Sequence, residues 1–133
     1  MAESMITVKA GVTGLRVSPR KVSLVASLVR GRTLEDALVI LAHTPKRAAL
    51  PVTKLLKSAK ANALNNHSLT EASLRITQLQ VTAGPRLKRF NPAAMGRALP
   101  YQKRSSHILV ELSGEVKAKK PAAAKADAKK EEA

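Results

Sequence analysis

Between Gly84 and His107 the chain reads GPRLKRFNPAAMGRALPYQKRSSH. These 24 residues hold six Lys or Arg, three prolines, the only Phe (Phe90) and the only Tyr (Tyr101), and no acid. No apolar run inside them builds a core. A connection this long within a small domain is uncommon and is usually functional or disordered. Mutual repulsion among Arg86, Lys88, Arg89, Arg97, Lys103 and Arg104 holds it open unless a polyanion neutralises it. The segment therefore reads as a cationic arm. Two limbs of roughly 10 to 12 residues, at about 3.3 Å each, give it a reach of about 35 Å.

The pattern around the arm is α+β. Met5 to Gly11 alternates apolar and polar, as a strand does. Ser18-Pro19 opens a helix with Val22, Val25, Leu28 and Val29 at helical spacing, and Gly31 ends it. Thr33 with Asp36 three residues on is a weak capping box for a second helix striped by Leu34, Ala37, Leu38 and Leu41. Thr44-Pro45 looks like the same device, opening a long helix to about Asn66. Its buried face is Ala48, Ala49, Val52, Leu55, Leu56, Ala59, Ala63 and Leu64, and Pro51 should either kink it or leave a first turn that does not join smoothly to the rest. Asn65 to Ser68 reads as a turn. Ala72 to Ala83 is strand-like, and its apolar parity switches between Ile76 and Leu79, which predicts a bulge. After the arm, Ile108, Val110 and Leu112 face one way in a last strand. The two strands flanking the arm most simply pair as an antiparallel hairpin with the arm as its extension. The expected architecture is three helices packed on a small three-stranded antiparallel sheet, with a long β-hairpin arm at 84–107. Residues 1–116 form the single domain. Residues 117–133 are a Lys/Ala-rich low-complexity tail with too little apolar content to bury.

Charge narrows the function. The chain carries 24 Lys and Arg against 9 Asp and Glu, net +15; the 117–133 tail supplies +3 and the body +12. Solubility needs only about 2 to 8 charges in a small domain, so a polyanionic partner explains the excess better. There is no cysteine, hence no thiol or disulfide chemistry. His43, His67 and His107 lack metal-ligand spacing. Glu35-Asp36 suits a helix N-terminus without catalysis. No cofactor, metal or enzymatic activity is expected. The start of the chain has no signal-peptide pattern and no apolar run approaches a membrane span, so a cytoplasmic protein without membrane attachment is expected. Nothing demands a homo-oligomer. Cations gather in two groups: Arg16, Arg20, Lys21, Arg30 and Arg32 around the first helix, and the six of the arm. Between Arg16 and Arg32 there is no acid, which favours phosphate contact over a merely solvated face. His107 at the arm's base joins them. Phe90 and Tyr101 are candidates for stacking on RNA bases or for packing.

The order of motifs resembles the bacterial large-subunit ribosomal protein twenty-two family. The matching pieces are Arg20-Lys21-Val22, Leu24-Val25-Ala26, Leu28-Val29-Arg30-Gly31, Ala37-Leu38 with Ile40-Leu41, Lys46-Arg47-Ala48-Ala49, Ser58-Ala59 with Ala61-Asn62-Ala63, Gly84-Pro85 with Lys88-Arg89, Gly96-Arg97-Ala98, and Lys103-Arg104 with Ser106-His107-Ile108. The resemblance runs from about Val17 to Leu112. It implies a structural constituent of the large ribosomal subunit that binds 23S rRNA and supports assembly. It also implies that the hairpin, Leu87, Lys88, Arg89, Phe90, Asn91, Pro92, Ala93, Ala94, Met95, Gly96 and Arg97, lines the nascent-peptide exit tunnel near large-subunit protein four. The nascent polypeptide would then be a partner. The chain departs from the family just before Gly96, where Ala93 and Met95 replace basic residues, at Pro51, and in its Lys/Ala extension. The competing reading is a basic architectural protein that bends DNA with a β-arm.

Overall fold

In the computed structural model, which describes residues 5–116, one long strand organises the molecule. β1 (Met5–Leu15) is followed by α1 (Pro19–Val29), α2 (Leu34–His43) and α3 (Ala49–His67). A 3-10 turn at Glu71–Ser73 leads into β2 (Arg75–Pro92), and β3 (Ala98–Glu115) closes the chain. The sheet order is β1-β3-β2, antiparallel throughout. Hence β3 is central in the body and continues outward as one limb of the arm.

The helices cover one face of the sheet. Val8, Ile76, Leu79, Ile108, Val110 and Leu112 meet Val22, Val25, Leu34, Val52, Leu56 and Ala59 in one buried, wholly aliphatic cluster. On the opposite sheet face Leu109 is 39% exposed and Glu111 pairs with Lys9 at 2.8 Å. The bulge expected from the parity switch lies between Ile76 and Gln78. The α1–α2 linker is stitched to the start of β2: Gly31 N–H donates to Ile76 O, Ile76 N–H to Arg32 O, and Leu34 N–H to Leu74 O.

The helix ends correct several expectations. Ser18 is the N-cap residue of α1 but makes no side-chain cap bond; Pro19 at the first helical position starts the helix instead. Leu28 is 45% exposed, and Ala26 takes the buried place. At α2 the Asp36 N–H donates to Thr33 Oγ1 at 3.3 Å. The Thr33 hydroxyl in turn donates to Asp36 Oδ2 at 2.7 Å. Aspartate, one methylene shorter than the usual glutamate, thus reaches the hydroxyl. Thr44 does not open α3. It caps the end of α2, its hydroxyl donating to Ile40 O at 2.7 Å. α3 starts only at Ala49, so Pro51 falls in its first turn. The amides there have no intrahelical acceptor in any helix, so a missing N–H removes no bond and there is no interior kink. At the other end α3 runs through Asn65, Asn66 and His67 to a left-handed Ser68 (φ 50°), so the expected turn shrinks to one residue.

Leu56 is fully buried between α3 and the sheet. Leu56→Ala should lower stability by about 2 to 5 kcal/mol in urea unfolding. Leu56→Asp, which buries an unpaired charge, should abolish the cooperative thermal transition followed by circular dichroism.

Candidate nucleic-acid interface

The arm is a ladder, not a loop. From Arg86↔Arg104 to Pro92↔Ala98 the two strands pair in unbroken register. Seven pairs at about 3.3 Å make a ribbon about 23 Å long, and the Ala93–Arg97 tip adds to it. The ladder is shorter than the estimated reach because the Ala93–Arg97 turn at the tip and the Gly84–Pro85 bulge at the root take up residues of both limbs. A Cβ at Gly84 would lie 2.6 Å from Ser105 Oγ and 3.2 Å from the Ser105 carbonyl carbon, so a side chain there would displace the hydroxyl and crowd the opposing limb. At the tip Ala93 N–H donates to Arg97 O at 2.8 Å, and Met95 and Gly96 both take left-handed conformations, with φ of 58° and 68°.

That Ala93–Arg97 bond fixes the phase of the ribbon. Hydrogen-bonded and non-hydrogen-bonded pairs alternate along an antiparallel ladder. Pairs 92/98, 90/100, 88/102 and 86/104 are therefore non-hydrogen-bonded. Pro92 and Pro100 sit where no ladder bond is lost. The same phase sorts the side chains. Arg86, Lys88, Phe90, Pro100, Gln102 and Arg104 share one face, while Leu87, Arg89, Asn91, Leu99, Tyr101 and Lys103 share the other. Apart from half-buried Ala93, every residue from Pro85 to Arg104 is exposed.

The root is tied down by polar contacts. Ser106, the one buried polar residue among those described, donates to Val17 O at 2.9 Å. Gly14 N–H donates to His107 Nδ1 at 2.9 Å. With Nδ1 accepting, only Nε2 of His107 remains to face a ligand.

The body cations are less united than their sequence spacing suggested. α1 is about 16 Å long at 1.5 Å per residue. Arg16, Arg20 and Lys21 therefore sit at one end and Arg30 and Arg32 at the other. Arg30 Nε donates to Leu79 O and Arg32 Nε to Leu28 O, both at 2.9 Å, which aims the remaining guanidinium nitrogens outward. Arg16 is the junction. It lines a cleft of ≈ 950 Å³ with Lys46, Arg47, Lys54 and Lys57, and a second of ≈ 640 Å³ with Lys21, Lys46 and Arg47. It also lines a third, of ≈ 580 Å³, with Arg89, Lys103 and Arg104 at the arm's root. A basic track thus runs from α3 past Arg16 onto the arm. The sequence-based set of RNA-binding candidates did not include Lys46, Arg47, Lys54 or Lys57. Starting α3 at Thr44 hid the loop that presents the first two, and the three-residue spacing of Lys54 and Lys57 was the available signal.

Among the described residues the only ion pairs are Lys9–Glu111 and Lys60–Glu71. None involves an arm cation or the Arg16 track. Among those residues, too, no group of three His, Cys, Asp or Glu is placed to hold a metal, and no helix is long and apolar enough to cross a membrane. The geometry offers positive charge and flat side chains to an extended anion.

A family model for ribosomal protein L22p/L17e matches residues 10–113. The chain belongs to that family. Large ribosomal subunit protein uL22 of Lactobacillus gasseri is 45% identical over 113 residues, which cover 85% of this chain and 97% of the relative. The protein of the same name from Desulforamulus reducens is 49% identical over 105 residues, covering 79% and 93%. That from Clostridioides difficile is 49% identical over 102 residues, covering 77% and 92%. The match to the family spans the body and the whole arm.

Replacing Lys46, Arg47, Lys54 and Lys57 with Gln should shift elution from a heparin column to clearly lower salt. The thermal midpoint should stay within about 1 to 2 °C, since all four side chains lie outside the core.

Proposed function

We propose that this chain is a non-enzymatic structural protein of the large ribosomal subunit, in the cytoplasm, whose body and arm bind 23S rRNA and whose arm tip lines the nascent-peptide tunnel. One observation carries the reading. The arm is an exposed two-stranded ribbon with cations on both faces, no acid, and no internal ion pair. A two-stranded ribbon without a core is at best marginally stable by itself. Like charges on it lower that stability further, so its natural state is one in which phosphates surround it. Ribosomal RNA supplies phosphates on all sides, as a ribbon charged on both faces requires.

The Arg16 track supports the same partner. It continues the arm's charge onto the body, so that one RNA surface can be followed from α3 to the tip. The ribbon's slimness suits a tunnel wall. Paired strands lie only about 4.8 Å apart, so an arm can enter where the body cannot. The tip residues Ala93, Ala94 and Gly96 are small, and Met95, 93% exposed, is its one bulky group. In this reading Lys88, Arg89 and Arg97 bind RNA close to the tip, near large-subunit protein four, and the nascent polypeptide passes Ala93 to Gly96.

Replacing Lys88, Arg89 and Arg97 with Ala should reduce the slope of log affinity for an rRNA fragment against log salt by about 2 to 3. An unchanged slope would exclude direct phosphate contact by these residues. Tagged full-length protein should sediment with the large subunit; migration with nucleoid DNA instead would favour a DNA-bending role. Removing 117–133 should leave that incorporation intact, because the buried cluster closes within the described residues.

A further inference from the structure

The two faces of the arm are chemically different. On one, each cation stands opposite a neutral residue: Arg89 opposite Tyr101, and Lys103 opposite Leu87. On the other, Arg86 stands directly opposite Arg104. Theirs is a non-hydrogen-bonded pair, the kind in which side chains approach most closely. Like charges directly opposed destabilise a ladder. An anion held between the two guanidinium groups turns that repulsion into two charge-assisted contacts. Lys88, on the same face one pair nearer the tip, adds a third cation, with Gln102 opposite it offering both a donor and an acceptor. Next comes Phe90, 68% exposed, against Pro100. These six residues, together with Tyr101, line an open cleft of ≈ 620 Å³. Cations, an amide and an open aromatic ring follow one another along one face. A single nucleotide presents the complementary sequence: phosphates, a polar base edge and a π-face.

Building on the RNA reading above, we propose that this face is a single-nucleotide site. It takes one unstacked RNA base against Phe90 and the adjoining phosphate between Arg86 and Arg104. A base inside a duplex is already stacked on both sides and cannot use Phe90, so the site selects single-stranded or bulged RNA. Gln102 meets the base edge. Lys88 neutralises the next phosphate along the strand.

The test uses the full chain and two labelled probes, a single-stranded RNA heptamer and a 12-base-pair RNA duplex, with binding read by fluorescence anisotropy. Phe90→Leu keeps apolar bulk but removes the π-face. It should weaken binding of the heptamer about tenfold and leave the duplex unchanged. Phe90→Trp should bind the heptamer at least as well as the native chain. The double variant Arg86→Gln, Arg104→Gln, which releases the one clamped phosphate, should lower the salt slope on the heptamer by about 0.7. Irradiation of a heptamer carrying 5-bromouridine should attach it to the peptide containing Phe90. Equal heptamer affinity for the Phe90→Leu and native chains, with the arginine variant still lowering the slope, would overturn the nucleotide site while leaving the RNA reading intact. No change in slope for the arginine variant would overturn the phosphate clamp, and if Lys88, Arg89 and Arg97 were equally silent, the RNA reading would fall with it.

Discussion

A single strand belongs to two environments, and the rest of the molecule follows from that. Within the body β3 is hydrogen-bonded on both sides, to β1 and β2, and its inward side chains Ile108, Val110 and Leu112 are buried. Beyond Ser106 the same strand keeps only β2 as a partner and buries nothing. The direction of the arm is therefore set by the core sheet and not by a hinge of loose residues. The contacts at the root reinforce this. Ser106 bonded to Val17 O and His107 bonded to Gly14 N–H anchor the last body residues of β3 to the β1–α1 segment. What the body presents is an aimed element, with part of the cost of ordering it for a partner already met.

Much of this was legible in the sequence where one local rule acted alone. The bulge near Gln78 showed as a slip in the period-two pattern. The start of α2 showed in Thr33 and Asp36. The core face of α3 showed in its spacing, and the antiparallel hairpin in the two strands flanking the arm. Reading failed where one residue served two elements. Thr44 looked like an opening cap because Pro45 follows it, yet its hydroxyl closes the preceding helix. That error moved Pro51 from a harmless first turn into an imagined helix interior. Asn65 and Asn66 are turn formers by propensity, but α3 carries them along because Ala63 and Leu69 are held in the core on either side. Leu28 fitted the helical spacing of α1 but lies on its outward side.

The interface was legible as charge but not as surface. Composition indicates a polyanion partner, and the acid-free arm locates it. Which cations act together depends on the fold. α1 separates Arg16 from Arg32 by its own length, whereas the α2–α3 loop brings Lys46 and Arg47 beside Arg16 from thirty residues away. The division of the arm into two faces needed the register, and above all the Ala93–Arg97 bond that sets its phase. On β2 the sequence period misleads, because the bulge at Gly84 and Pro85 resets its parity between body and arm; only β3, which has no bulge there, carries the parity of Ile108 and Val110 out to Arg104, Gln102 and Pro100.

The phase has one more consequence, for the life of the chain before it reaches a ribosome. A bare ribbon offers two unsatisfied edges, the template on which a second strand adds and fibres begin. At non-hydrogen-bonded pairs the backbone amides point to those outer edges, and two such positions, Pro92 and Pro100, have no amide to offer. Arg86, Lys88 and Arg104 occupy others, so an approaching copy would meet its own charge. The prolines and cations of the arm thus guard newly made molecules against pairing edge to edge.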